Sequence, residues 1–285
     1  MPSSLPRRIA VAAVAIPAVF TFVYVGGWLL VIALQCLAVL GTSEVYRLAR
    51  SRDVHPLAWL GYLGAVGGPA LMFAISGAGG IDTTWIGFAA TGWFLAVMAG
   101  AVWQRNPNQA PLAAIAVTVF GAVYTGVLPA FLLLLRHAET TRGPWAATWL
   151  VFLPLAVTWV SDSMAMAGGM LIGGPKLSPA ISPNKTWAGT VTGSIAATAA
   201  APLYGVLALG PYGIVLAWWK LAVLGLALSI VGHVGDLAES LLKREAGVKD
   251  SGRAVPGHGG VLDRLDSLYW VLPTATALLS AYGTI

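Results

Sequence analysis

The stretch "LAAIAVTVFGAVYTGVLPAFLLLL" runs from Leu112 to Leu135 without one charged residue. About 20 apolar residues in a helix, rising 1.5 Å each, cross the hydrocarbon core of a bilayer. The segment therefore predicts a membrane-spanning helix. Lipid offers no hydrogen bonds, and a helix satisfies its own backbone.

The rest of the chain repeats the pattern. Apolar runs occupy residues 9–25, 27–46, 57–76, 84–103, 112–135, 145–167, 187–208, 212–235 and 268–284. Hydrophobic residues make up 58% of the 285 and charged residues 9%, where a soluble domain carries about 25%. Mean hydropathy is +0.79. Such a surface excludes a water-soluble protein. The fold class expected is an all-α polytopic membrane protein of about nine transmembrane helices, with a polar active-site cavity on the cytoplasmic side. Residues 1–285 read as one integral membrane domain, with amino-terminal helices in 1–144 and a chemistry-bearing half in 145–285. Basic residues precede the first run, as in a signal peptide, but the eight further spans favour a retained first helix. Cys36, the single cysteine, lies inside a span and reads as a small apolar packing residue.

Charge sets the orientation. With nine spans, 13 of the 16 Lys and Arg residues fall on one side, and Arg136, Arg142 and Lys220 on the other. The positive-inside bias places the amino terminus and the 240–267 loop in the cytoplasm, and the carboxyl terminus outside. A basic cytoplasmic face is ordinary for a protein of the cell membrane, and no nucleic-acid partner is expected. In the first half, Glu44 and Arg47 stand three apart at a helix end and read as an interfacial pair.

Polar chemistry concentrates in the second half. Asp162 and Asp236 lie at the ends of otherwise apolar runs, where a carboxylate costs about 2.5–3.5 kcal/mol unless it is paired, binds metal or lines a wet cavity. For Asp162, an interfacial acid paired with lysine and a functional acid both fit. For Asp236, Glu239, Lys243 and Arg244 follow at near-helical spacing, which favours function. Ser182, Pro183, Asn184, Lys185 and Thr186 read as a turn before a span, a natural anion site. Residues 240–267 hold nine of the 27 charges. There, Gly257, His258, Gly259 and Gly260 suit either a phosphate cradle or a flexible turn. Asp263 and Asp266, three apart, suit either a divalent cation or a helix amino-terminal acid pair. Acids and bases together on one face are what phosphoryl transfer requires, since carboxylates hold Mg²⁺ while Lys and Arg neutralise phosphate oxygens.

The pattern Ser240-x-Leu242-Lys243-Arg244-x4-Lys249-Asp250-Ser251-Gly252, then Pro256-Gly257-His258-Gly259-Gly260, then Asp263-Arg264-x-Asp266-Ser267, closely resembles the signature of the phosphatidate cytidylyltransferase (CDP-diacylglycerol synthase) family. "GDLAES" and "ISPNKTW" resemble its upstream motifs. The resemblance implies transfer of CMP from CTP to phosphatidate, giving CDP-diacylglycerol and pyrophosphate. It implies Mg²⁺ dependence, with room for a second cation, and a homodimer in membrane lipid. It implies metal ligation by Asp236 and Asp263. Catalytic roles would fall to Lys243, Arg244, Lys249, Asp250, His258, Arg264 and Asp266. Substrate binding would fall to Ser182, Lys185, Thr186, Asp162, Glu239, Gly259 and Gly260.

The chain departs from the family pattern at Ala188, where an acid is usual, and at Met166, Met170 and Gly174, near a usual Tyr, Arg and Lys. These departures cluster in residues 160–190 and leave 236–267 whole. The alternative is a catalytically altered member or a lipid-binding or transport protein of the membrane.

Overall fold

Long apolar runs with few breakers give helices here, and the connecting segments carry the Gly, Pro and Asn. The computed structural model describes residues 4–78, 83–138, 142–252, 254 and 259–285. Its helices are α1 (Ser4–Val25), α2 (Gly27–Arg50), α3 (Ala58–Phe73), α4 (Thr83–Gln104), α5 (Pro111–Ala122), α6 (Leu128–Ala138), α7 (Pro144–Leu171), α8 (Trp187–Tyr204), α9 (Trp218–Glu245), α10 (Leu262–Leu265) and α11 (Leu268–Ala281). A π-helical turn, Val123–Val127, joins α5 to α6 without breaking the span, so the opening stretch is one continuous membrane-length helix.

Among the described residues, seven helices are long and apolar enough to cross a bilayer. They coincide with seven of the nine apolar runs. The other two runs fall on α1, 22 residues long, and on α11. The 14 residues of α11 extend about 21 Å, less than the hydrocarbon thickness.

Three local expectations change. Asp162 and Asp236 do not end their helices: α7 and α9 run on to Leu171 and Glu245. In α9 the extension is supported by the buried i,i+4 pair of Glu239 and Lys243, 3.1 Å apart. Ser182–Thr186 is not a turn but strand β2, paired antiparallel with β1 (Lys176–Ser178). The turn lies earlier, where the Ile181 N–H donates to the Ser178 carbonyl and Pro179 takes the position that presets φ. Pro183 is tolerated because a two-stranded ribbon leaves outward N–H positions unpaired. Cys36 is exposed rather than packed.

The chain folds into two compact units, residues 1–137 with 245–265, and residues 138–244 with 266–285. In the first, Tyr46 is fully buried and donates to the Thr118 carbonyl at 2.9 Å, while Thr42 and Thr125 share a hydroxyl contact of 2.7 Å. In the second, α8 presents Gly189, Gly193, Ala197 and Ala201 at intervals of four, all buried. A Cβ on Gly189 would sit 2.5 Å from the Ala165 carbonyl, so glycine is what lets α8 press against α7. Ser229 of α9 joins this crossing, 2.8 Å from Ser161 and 3.1 Å from Ser194. These contacts hold α7, α8 and α9 together beneath the polar ends that carry the candidate chemistry.

Candidate active site

In the second unit, those polar ends enclose a cavity of about 650 Å³. Asp162 comes from α7, Lys185 and Thr186 from β2, His233 and Asp236 from α9, and Asp266 from the segment before α11. Each element delivers its residue for a local reason. The hairpin register sets Thr186 opposite Lys176, which ends β2 and starts α8. Thr186 then caps α8, its hydroxyl accepting from the Gly189 N–H at 3.1 Å. Lys185, one residue earlier, reaches Asp236, with Nζ 2.5 Å from Oδ2. On α9, His233 and Asp236 are three apart and share a face.

Three carboxylates, Asp162, Asp236 and Asp266, and two lysines, Lys176 and Lys185, line the cavity. Burial, added to the nearby Asp236 carboxylate, pushes the Asp266 carboxyl up to about 7. The Ser267 N–H opposes this by donating to Asp266 Oδ1 at 2.8 Å. The walls also include Met166, Met170 and Gly174, the departures from the family pattern, so these substitutions change the lining itself.

The first unit holds a second cluster. Asp263 Oδ2 accepts from the Ser251 N–H at 2.9 Å and the Gly260 N–H at 2.9 Å, and lies 3.0 Å from Ser251 Oγ. Glu44, 2% exposed, accepts from the Val261 N–H at 3.1 Å and the Leu262 N–H at 2.9 Å. Its Oε2 is 2.8 Å from the same Ser251 Oγ. That hydroxyl has one proton and serves one carboxylate at a time. Arg47 donates to the Ser251 carbonyl. Both ends of the segment 251–262 are thereby tied to α2. A Cβ on Gly260 would sit 2.1 Å from Ser251 Oγ and 2.4 Å from Glu44, so no larger residue fits there.

The structure thus gathers Asp162, Lys185, Thr186, Asp236 and Asp266 around one cavity. Glu239 and Lys243 form their own buried pair on α9, and Arg244 donates to the Ile181 carbonyl of the hairpin turn at 3.2 Å. Ser182 pairs with Ser178 in the hairpin and is partly buried. Asp263, Gly259 and Gly260 belong to the first unit, as do Lys249, Asp250 and Arg264, which are exposed. His258 lies outside the described residues. Sequence reasoning missed Glu44 and His233. Glu44 carried the signal that singled out Asp236, an acid in an apolar helix, but its neighbour Arg47 offered a simpler partner.

Comparison with known proteins bears on this arrangement. The model of the cytidylyltransferase family matches residues 6–282. The chain belongs to that family. The cytidylyltransferase match therefore takes in both halves, including the first, where the sequence alone showed only hydropathy. Among relatives, phosphatidate cytidylyltransferase of Synechocystis sp. is 31% identical over 290 residues, covering 94% of each chain. Phosphatidate cytidylyltransferase 4, chloroplastic, of Arabidopsis thaliana is 32% identical over 272 residues, covering 86% of this chain and 66% of its own. Phosphatidate cytidylyltransferase of Brucella abortus is 48% identical over 165 residues. That match spans 58% of this chain and 56% of the Brucella protein, little more than half its length.

Proposed function

We propose that this protein is a phosphatidate cytidylyltransferase of the cell membrane, with its active site facing the cytoplasm. The observation that carries the reading is the cavity in which the Lys185–Asp236 ion pair stands beside Asp162 and Asp266, in a chain of the cytidylyltransferase family. The orientation rests on the 13-to-3 distribution of basic residues. A homodimer belongs to the same proposal.

In the reaction, a phosphate oxygen of phosphatidate attacks the α-phosphorus of CTP. A P–O bond forms to the lipid phosphate, and the bond to pyrophosphate breaks. A phosphate monoester dianion is already nucleophilic and requires no dedicated base. Lys185 supplies positive charge at the cavity wall, where an incoming phosphate competes with Asp236 for its ammonium group. The positive end of α8, capped by Thr186, favours anions on the same side.

The carboxylates suit Mg²⁺, because they are hard oxygen donors lining one cavity. Among the described residues, no three acids, histidines or cysteines are grouped closely enough to cage an ion. Of the two expected ligands, Asp236 lines this cavity and would hold the ion, while Asp263 is proposed from the sequence pattern alone; when bound, the ion would neutralise phosphate oxygens as their charge redistributes. Catalytic roles for Lys243, Arg244, Lys249, Asp250, His258 and Arg264 complete the proposal.

The deciding experiment is CTP-dependent formation of CDP-diacylglycerol from phosphatidate by the purified protein, with pyrophosphate measured in parallel. Equimolar product and pyrophosphate are expected. One observation favours a second reading: Met166, Met170 and Gly174 line the cavity where the family pattern has polar groups. A protein that binds phosphatidate and releases no pyrophosphate would establish that altered member instead.

A further inference from the structure

His233 has no place in the chemistry above, yet its setting is specific. It is 7% exposed and lines the same cavity as Lys185, Thr186 and Asp236. Its Nε2 is buried and makes no hydrogen bond of ordinary geometry among the described residues, although the ring lies near the Thr190 backbone. Buried polar nitrogens are nearly always paired, and leaving one unmet is a net loss to the folded protein. Across from it stands Gly193 of α8. A Cβ there would sit 2.7 Å from the Ser161 carbonyl, 2.9 Å from the Ala165 Cβ and 3.3 Å from Nε2, so the glycine serves the close packing of α8 on α7 beside the imidazole. A ring nitrogen left unmet in the residues that line a cavity suits a group whose partner arrives with the ligand.

The geometry points to His233 as a substrate-binding residue whose Nε2–H donates to a phosphoryl oxygen in this cavity. A phosphate fits better than a sugar hydroxyl or a base. Lys185 and the amino-terminal turn of α8 make this side of the cavity the one suited to anions. The phosphoryl oxygen can belong to the nucleotide or to the lipid headgroup. The inference deepens the proposed function and rests on that reading of the cavity.

Three substitutions in the full-length protein test it. Gln places an amide N–H near the position of Nε2, Asn places one near Nδ1, and Leu fills the volume without a donor. Removing one hydrogen bond to a charged partner costs on the order of 10- to 100-fold in affinity. His233→Leu and His233→Asn should lose about that much in kcat/KM, while His233→Gln stays within about fivefold of wild type. Calorimetric titration with inorganic pyrophosphate and the apparent KM for phosphatidate in mixed micelles separate the two sources. Weakened pyrophosphate binding with a raised KM for CTP assigns the contact to the nucleotide. A raised KM for phosphatidate alone assigns it to the lipid.

Wild-type affinities and turnover in a folded His233→Leu protein would overturn the inference. So would equal impairment of the folded Gln and Leu variants, which would reduce His233 to a packing residue. Should the variants fail to fold, the wild-type protein still decides. Carbethoxylation of His233, followed by peptide mass spectrometry, should slow when pyrophosphate, CTP or phosphatidate saturates the site. Equal labelling with and without all three overturns the contact. A wild-type protein that makes no CDP-diacylglycerol, yet binds pyrophosphate through His233, would sink the proposed activity and leave this contact standing.

Discussion

Lys185 Nζ lies 2.5 Å from Asp236 Oδ2, so strand β2 and helix α9 are joined by an ion pair at the wall of the cavity. Both side chains keep partial exposure, 23% and 34%, and the pair therefore adds little to stability, about 1 kcal/mol or less. The pair holds the lysine in place at the cavity wall, where the proposed reaction would have a phosphate displace Asp236. Lys185→Ala should lower turnover by about 100-fold while the melting temperature changes by only a few degrees. Initial rates beside thermal unfolding check this, and wild-type turnover would reduce the hairpin to a structural element.

Asp236→Asn and Asp263→Asn should both lower CTP-dependent synthesis by about 100-fold or more, for the loss of a carboxylate oxygen at the proposed metal site. Their stabilities should differ. Asp263 Oδ2 ties two backbone N–H groups, so its replacement should cost about 1–3 kcal/mol. Asp236→Asn loses only a half-exposed pair and should melt near wild type. Melting curves in EDTA separate the two, and equal melting points would contradict the assignment of Asp263 as a clasp.

The Asp266 carboxyl has its folded pKa raised from 3.8 to about 7. A folded state that holds a proton more tightly than the unfolded chain is favoured at low pH. That contribution is complete below 3.8, fades as pH rises and is gone above about 7. In metal-free buffer, the melting temperature should fall between about pH 4 and about pH 7, and Asp266→Asn should flatten the fall. An identical pH profile in the variant would show that Asp266 does not carry the effect.

Glu44 binds the two ends of the segment 251–262, through Ser251, Val261 and Leu262. Glu44→Ala leaves two backbone donors without their acceptor, while the Ser251 hydroxyl can turn to Asp263, which should cost about 2–4 kcal/mol. Glu44→Gln keeps the shape but replaces one acceptor oxygen with a donor, and should fall between. Limited proteolysis should cut the segment faster in both variants. Unchanged cleavage in Glu44→Ala would mean that the clasp does not hold the segment.

Topology turns on α11, whose 14 residues are fewer than the seven long spans have. With nine crossings, reporter fusions at Arg142 and Ile285 read outside, and fusions at Asn106 and Gly252 read inside. A cytoplasmic reading at Ile285 would show that α11 does not cross.

Much of this was legible in residue order alone. The membrane class, seven of the spans and the polar stretches followed from hydropathy, which sums along a local window. The ionisable residues Asp162, Lys185, Asp236 and Asp266 stood out because charge is expensive beside apolar runs. Local reasoning failed where a segment's partner decided its shape. Residues 182–186 form a strand because Lys176 and Ser178 pair with them, and Pro183 pointed to a turn only when read without that partner. Glu44 appeared to be a neighbour of Arg47, but its acceptors' donors come from residues more than 200 positions away. The hydroxyl shared by Glu44 and Asp263, the lysine held by Asp236 and the unmet nitrogen of His233 were decided by tertiary structure alone. Helix propensity and hydropathy are properties of single residues and their near neighbours. A hydrogen bond between distant residues exists only after packing brings donor and acceptor within about 3 Å.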